Sequence, residues 1–291
     1  MEISNRIESY TEDVIKDLKG LIAIRSVEER ATEHKPFGEG PYRALQYMLE
    51  LGNSMGFKTK NVENYAGHIE YGEGEDSVGV LVHLDVVPEG EEPWTYPPYS
   101  GEVHGGKIYG RGAIDNKGPA IAALYAMKAL KESKIISKKK IRLILGTNEE
   151  SGWGGINYYL EKEKPPDMAF SPDAVFPVIH AEKGILIFDI MGCFSQETDK
   201  GIILESITGG NVPNMVADKC TAVIKYADPE HVINELNEFI EETRYHLTSE
   251  AAENVITIVS SGKSAHGASP EKGINAISVM MLFLARLEFG N

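Results

Sequence analysis

The chain has 291 residues, 42% hydrophobic and 25% charged, the proportions of a folded globular protein long enough to divide into two domains. Its formal net charge of −15 opposes nucleic acid and anionic membranes, because both repel a summed negative field. The two cysteines, Cys193 and Cys220, form no C-x-x-C pair and suggest neither a disulfide framework nor a thiolate zinc site, which fits a cytoplasmic protein.

Residues 1–19 alternate acids with apolar residues in helical phase and carry no basic, apolar leader pattern, so they read as a mature cytosolic start. Helices are expected at about 7–24, 41–55, 117–131 and 155–161, and strands near 57–62, 67–71, 78–84, 107–110, 140–147 and 167–170. Alternation of this kind predicts an α/β domain with a largely parallel sheet covered by helices. The stretch 88–106, rich in proline and glycine, reads as a long functional loop.

A second block starts near Lys183, with strands expected at 184–191, 216–226 and 254–260 and helices at 229–243 and 272–287. This order predicts a smaller α+β domain with one helical layer on a sheet. The expected division is 1–183 and 184–291. The apolar stretch 278–285 is too short to span a bilayer and runs into Arg286, so no transmembrane segment is expected.

Chemistry-bearing residues sit where apolar runs stop. His83 and Asp85 close 78–82, Glu149 and Glu150 follow 141–145, Asp173 comes just after 168–170, and Asp115 follows a Gly-Arg-Gly turn and opens a helix. Loops at the carboxyl ends of strands in an open α/β sheet converge on one crevice, so these residues can share a cavity. One imidazole with several carboxylates suits zinc or, in an oxygen-rich site, manganese. Asp85, two residues beyond His83, is placed to accept the imidazole's second N–H. Each residue also has an ordinary reading: a strand-end histidine, acids at a helix N-terminus, a helix cap at 115–117, a turn aspartate.

The strings VLVHLDVVP (80–88), GRGAIDNKGP (110–119), GTNEESGWGG (146–155) and FSPDAVFPVIHAEKG (170–184) resemble the signature blocks of the co-catalytic metallopeptidase family. That family includes aminoacylases, succinyl-diaminopimelate desuccinylase, glutamate carboxypeptidases and peptidase V-type dipeptidases. A fifth block, GKSAHGASPEKGINAI (262–277), carries the resemblance into the second domain. EESGW and FSPDAVFP look most like the peptidase V type.

The resemblance implies a catalytic domain with a lid and two divalent ions, zinc first, manganese or cobalt also suitable. Asp115 would bridge the ions, His83 and Asp173 would complete one, and Glu150 would hold the other. Glu149 would be the general base and Asp85 would orient His83. A cis bond is implied between Asp115 and Asn116. In the lid, His266 and Asn214, the latter within GGNVPNMVAD, would polarise the substrate carbonyl.

The expected activity is hydrolysis of dipeptides or short peptides by a protein that is monomeric at full length. The alternatives are deacylation of N-acyl amino acids or a truncated, non-catalytic remnant. The family's fifth ligand, a histidine after the lid, has no match here, and His180, His231 and His246 read as ordinary histidines. The chain as given is therefore expected to hold its second ion weakly and to be nearly inactive, unless His180 supplies the missing ligand.

Overall fold

The structure is a computed structural model that describes residues 3–90, 93–135, 137–174, 177, 179–184, 186–189, 191, 201–287 and 289. Cys193 lies outside them, as do residues 185 and 190 of the strand expected at 184–191. The chain divides into two compact units, Met1–Ile179 and His180–Asn291.

The first unit begins with α1 (Ile3–Glu8) and α2 (Thr11–Ile22), so the single helix expected at 7–24 is in fact two. The break falls where the Ser9 and Thr11 hydroxyls donate to the carbonyls of Arg6 and Glu8, an alternative to the helical ladder that short hydroxyl side chains offer. Next come α3 (Glu39–Ser54), β1 (Lys58–Val62), β2 (Ala66–Tyr71) and β3 (Ser77–His83). β4 (Glu102–His104), β5 (Lys107–Tyr109), α4 (Lys117–Glu132), β6 (Lys140–Gly146), α5 (Gly154–Lys162) and β7 (Met168–Phe170) complete the unit.

Five strands form one mixed sheet in the order β1-β2-β6-β3-β7. Both neighbours of β3 run parallel to it, and β2 is antiparallel to β1 and β6. The antiparallel margin follows from the short β1–β2 connection, where Glu63 and Asn64 take positive φ and turn the chain back at once. The strand expected near 107–110 exists as β5, but it pairs only with β4 in a separate two-stranded ribbon at the end of the long loop.

Alternation along the strands sorts side chains to two faces. Val80, Val82, Leu143 and Leu145 pack under α2, α3 and α4 with Leu21, Leu45 and Leu124, whereas Ile144 turns to the opposite face with Ile156 and Tyr159 of α5. The central strands β3 and β6 are thus covered on both faces, while the edge strand β7 is exposed. The carboxyl ends of the parallel trio β3, β6 and β7 point to one side of the unit.

The second unit holds β8 (Ile203–Gly209), β9 (Lys219–Lys225), α6 (Pro229–Thr243), β10 (His246–Ala252), β11 (Val255–Ser261) and α7 (Ala276–Leu284). Its sheet is antiparallel, ordered β10-β11-β9-β8. Ala222, Ile224, Ile256 and Ile258 on one face meet Leu236 and Phe239 of α6 and Met280 and Phe283 of α7, which is a single helical layer.

Several expected elements differ. The described residues of 184–191 form no strand, and Leu186 and Phe188 are exposed, so the apolar run there is not a core strand. The strand expected at 216–226 starts only at Lys219, because the Val216 N–H donates to Ala265 and the Ala217 carbonyl accepts from Ala276. The last helix starts at Ala276, where the Asn275 side chain accepts from the Ile277 and Ser278 N–H groups and caps it. β8 and β10 were not anticipated, since HLTSEAA and ILESITG carry little apolar alternation. No helix among the described residues is long and apolar enough to cross a membrane.

Candidate metal centre

His83 is the last residue of β3 and is 2% exposed. Its Nδ1 lies 3.0 Å from the backbone carbonyl of Asp85 and 3.6 Å from that residue's Oδ1. A carbonyl only accepts, so Nδ1 carries a hydrogen and Nε2 is the nitrogen turned toward the neighbouring acids. The expected hold of Asp85 on the imidazole is thus made chiefly by its backbone. Its carboxylate reaches the other way, where Oδ2 accepts the Glu150 N–H at 3.0 Å and ties the end of β3 to the loop after β6.

Around Nε2 stand Asp115 Oδ1 at 2.9 Å, Asp173 Oδ1 at 3.7 Å and Glu149 Oε2 at 4.0 Å. Two groupings, His83–Asp115–Glu150 and His83–Glu149–Asp173, each offer three ligand atoms within 4.8 Å of one another. The acids come from three separate segments, and each is held by its local fold. Asp115 follows Gly112, whose φ of +84° and approach to the Lys117 side chain leave no room for a Cβ. The bond from Asp115 to Asn116 is cis.

Glu149 and Glu150 sit in a loop fastened by Asn148, whose Oδ1 accepts from Gly154 at 3.0 Å and whose carbonyl accepts from Trp153 at 2.7 Å. Asp173 follows a turn that Ser171 pins to β3 by donating to the Leu81 carbonyl at 2.9 Å. Beside His83 lies a cleft of about 10 Å³, lined by the apolar Leu81, Ile156 and Trp153 together with Glu149 and Asp173.

Electrostatics follow from this crowding. Burial works against charge on His83, but the hydrogen bond to Asp115 and the nearby Asp173 and Asp85 carboxylates outweigh it and push the imidazole up to about 12. Asp115 is correspondingly lowered by its bond to His83. Burial, with Asp115 nearby, lifts Glu150 to about 7, and burial also raises Glu149, reinforced by Asp173 and Asp85. The donor set is chemically suited to divalent ions: one imidazole with its tautomer fixed, and carboxylates whose protons a cation would displace.

In the second unit the two residues singled out in the sequence lie side by side. Met215 and His266 form a β-bridge, and the Gly267 N–H donates to the Asn214 carbonyl at 2.6 Å. The Ala268 N–H donates to His266 Nδ1 at 3.1 Å, so the neutral imidazole carries its hydrogen on the exposed Nε2. Two residues beside the first-unit cluster were not credited with a part in it. Asn116 is fully buried against Asp173, and Lys117 is fully buried with its Nζ donating to the Leu21 and Ile24 carbonyls at 3.1 and 2.7 Å. A polar pair following an acid at a helix start was the available signal.

An imidazole and carboxylates gathered beyond the ends of parallel strands define a candidate divalent-metal centre of the hydrolase type. The chain belongs to peptidase family M20/M25/M40, whose description matches residues 79–284, and that family is one of co-catalytic di-metal peptidases. It is 40% identical over 280 residues to "Putative dipeptidase YtjP" of Bacillus subtilis (strain 168), covering 95% of this chain and 60% of that protein. It is 39% identical over 291 residues to "Putative dipeptidase SAB1611c" of Staphylococcus aureus (strain bovine RF122 / ET3-1), covering 98% and 62%. The chain thus spans about three fifths of the length of these curated relatives.

Among solved structures, human carnosine dipeptidase 1 matches with a TM-score of 0.53 at 15% identity, covering 98% of this chain and 77% of that one. The dipeptidase Dug1p of Saccharomyces cerevisiae matches at 0.52 and 14%, covering 89% and 71%. These likenesses are of fold alone.

Proposed function

We propose that this protein contributes to metal-dependent hydrolysis of dipeptides or short peptides. The observation that carries the reading is the cluster itself: His83, Asp115, Glu149, Glu150 and Asp173 supply ligand atoms in two groupings, each within 4.8 Å. The names of the relatives, dipeptidases in both species quoted, support the substrate class.

In this reading His83, Asp115, Glu150 and Asp173 hold two divalent ions, zinc first, with manganese or cobalt also suited to the donors. Bound there, the ions would bring the pKa of a water toward neutrality. Glu149 is the general base, since burial and neighbouring acids raise its proton affinity toward the range such a role needs. It takes the proton of the attacking water and returns it to the leaving amine. Asp85 keeps the His83 ring in place through its carbonyl. We assign His266, whose Nε2–H can donate, and Asn214 to polarisation of the scissile carbonyl. The formal net charge of −15 fits a monomeric enzyme that does not engage nucleic acid or anionic membranes.

The test is release of both amino acids from a dipeptide panel, with zinc, manganese or cobalt supplied, using this chain and a version extended to the length of its relatives. Hydrolysis of N-acyl amino acids without dipeptide cleavage would move the reading to a deacylase. Turnover of neither substrate by either version would overturn it.

A further inference from the structure

Asn116 stands at the N-cap of α4, a position asparagine often fills because its side chain can satisfy a free helix N–H. Here the side chain makes no capping bond. Its Nδ2 instead donates to Asp173 Oδ1 at 2.7 Å and to the Pro172 carbonyl at 3.2 Å, 57 and 56 residues away in sequence. A carbonyl and an ionised carboxylate only accept, so the amide's orientation is settled: the NH₂ faces residues 172–173, and both its hydrogens are used. Its Oδ1 is left buried without a partner among the described residues. The side chain forgoes its cap and leaves an acceptor unsatisfied, and the contact it gains in exchange is with a carboxylate of the cluster.

We infer that Asn116 is a positioning residue that fixes the Asp173 carboxylate for metal binding by holding its Oδ1, the oxygen that also faces His83 Nε2 at 3.7 Å. The inference rests on the reading of Asp173 as a metal ligand. The adjoining Asp115 belongs to the other grouping, His83–Asp115–Glu150, so residues 115 and 116 serve both groupings from one peptide unit. A neutral amide suits the task. It donates to a carboxylate without adding another negative charge, and it cannot compete as an anionic ligand. Partners that orient ligating carboxylates typically change metal affinity about 10–100-fold when removed.

The experiment measures zinc dissociation constants of the chain by competition with a chromophoric chelator, alongside the thermal midpoint of each metal-free variant. Asn116→Ser should weaken zinc tenfold or more. In an Asp173→Asn background the same change should cost less than twofold, whereas in a Glu150→Gln background, which leaves Asp173 intact, the tenfold loss should persist. If zinc binding by Asp173→Asn is too weak to measure, the metal-free thermal midpoints decide: a tenfold loss in Asn116→Ser with an unchanged midpoint supports the inference, and a loss that comes with a lowered midpoint overturns it. Equal losses with and without Asp173 would mark Asn116 as merely structural.

Should Asn116→Ser fail to fold, Asn116→Asp keeps the shape but removes both donors. An added negative charge alone would tighten a cation, so weakened zinc binding identifies lost positioning, and unchanged or tighter binding refutes it. If the unmodified chain binds no zinc, the metal reading fails. If it binds zinc but Asn116→Ser changes the constant less than twofold, only this inference fails.

Discussion

Acidification should destabilise the first unit through His68. This residue lies in β2, is 6% exposed, and its Nδ1 sits 2.8 Å from the Tyr159 hydroxyl. Arg142 donates to the same hydroxyl oxygen at 3.4 Å, an arrangement in which the Tyr159 O–H can donate to an unprotonated Nδ1. Burial, followed by the nearby Arg142 charge, lowers the imidazole from 6.5 to about 4. The unfolded chain takes up a proton near 6.5 that the folded one refuses until about 4, so the stability present above about pH 7 is lost as pH falls through that window. The gap corresponds to about 3 kcal/mol in full, of which about 2 kcal/mol is lost by pH 5.

Urea unfolding at pH 7.5 and pH 5 measures it, and tryptophan fluorescence reports the first unit alone because Trp94 and Trp153, both tryptophans of the chain, lie there. Glu149 and Glu150, whose proton affinities are raised, gain stability as pH falls and oppose the trend. Comparison with His68→Asn, which can still accept from Tyr159, removes their contribution. Wild type should lose about 2 kcal/mol more than the variant between the two pH values. Equal losses would refute a neutral buried His68.

Protein purified without chelator should carry at least one equivalent of divalent metal by plasma emission, and finding no zinc, manganese or cobalt even after reconstitution would remove the basis of the proposed chemistry. Glu149→Gln should leave metal content near normal while turnover of the extended chain falls about 10²-fold or more. Glu150→Gln should lose the ion that Glu150 holds and keep the one on His83 and Asp173, so equal metal loss in both variants would refute the division of roles. Asn275→Ala, which removes the cap of α7, should lower the stability of the second unit by about 1 kcal/mol in urea titrations followed by circular dichroism. No measurable change would mean that backbone groups or solvent already satisfy that helix end.

The elements read most directly from the sequence are those whose apolar pattern is itself the packing instruction. Val78–Val82 and Ile141–Leu145 lie in β3 and β6, and the run from Lys117 became α4, because each is held by core contacts of its own. The same logic fails for β8 and β10, which are edge strands of the second sheet and need few apolar residues to pair. It fails again at 184–191, where apolar residues lie exposed instead of in a core. In the site, residue types at strand ends pointed to the cluster. The spatial partners did not show: the hold on His83 by the Asp85 backbone and the grip of Asn116 on Asp173 depend on carbonyl and amide directions that residue order leaves open.

The charge balance of the cluster explains why these acids favour a cation from outside the chain. Asp85, Asp115, Glu149, Glu150 and Asp173 surround one imidazole. Two basic side chains close in sequence are engaged elsewhere. Lys117 is buried with its Nζ on the Leu21 and Ile24 carbonyls, and burial lowers its pKa to about 7, which weakens its hold on a proton. Arg111 lies against the Trp94 ring and donates to the Pro88 carbonyl, reaching Asp115 only as a distant charge. The acids therefore depend on protons, retained on His83 and, near neutrality, in part on Glu150. Divalent ions would take the place of those protons. Metal affinity should accordingly rise with pH across the neutral range, as ligands that must first lose a proton require.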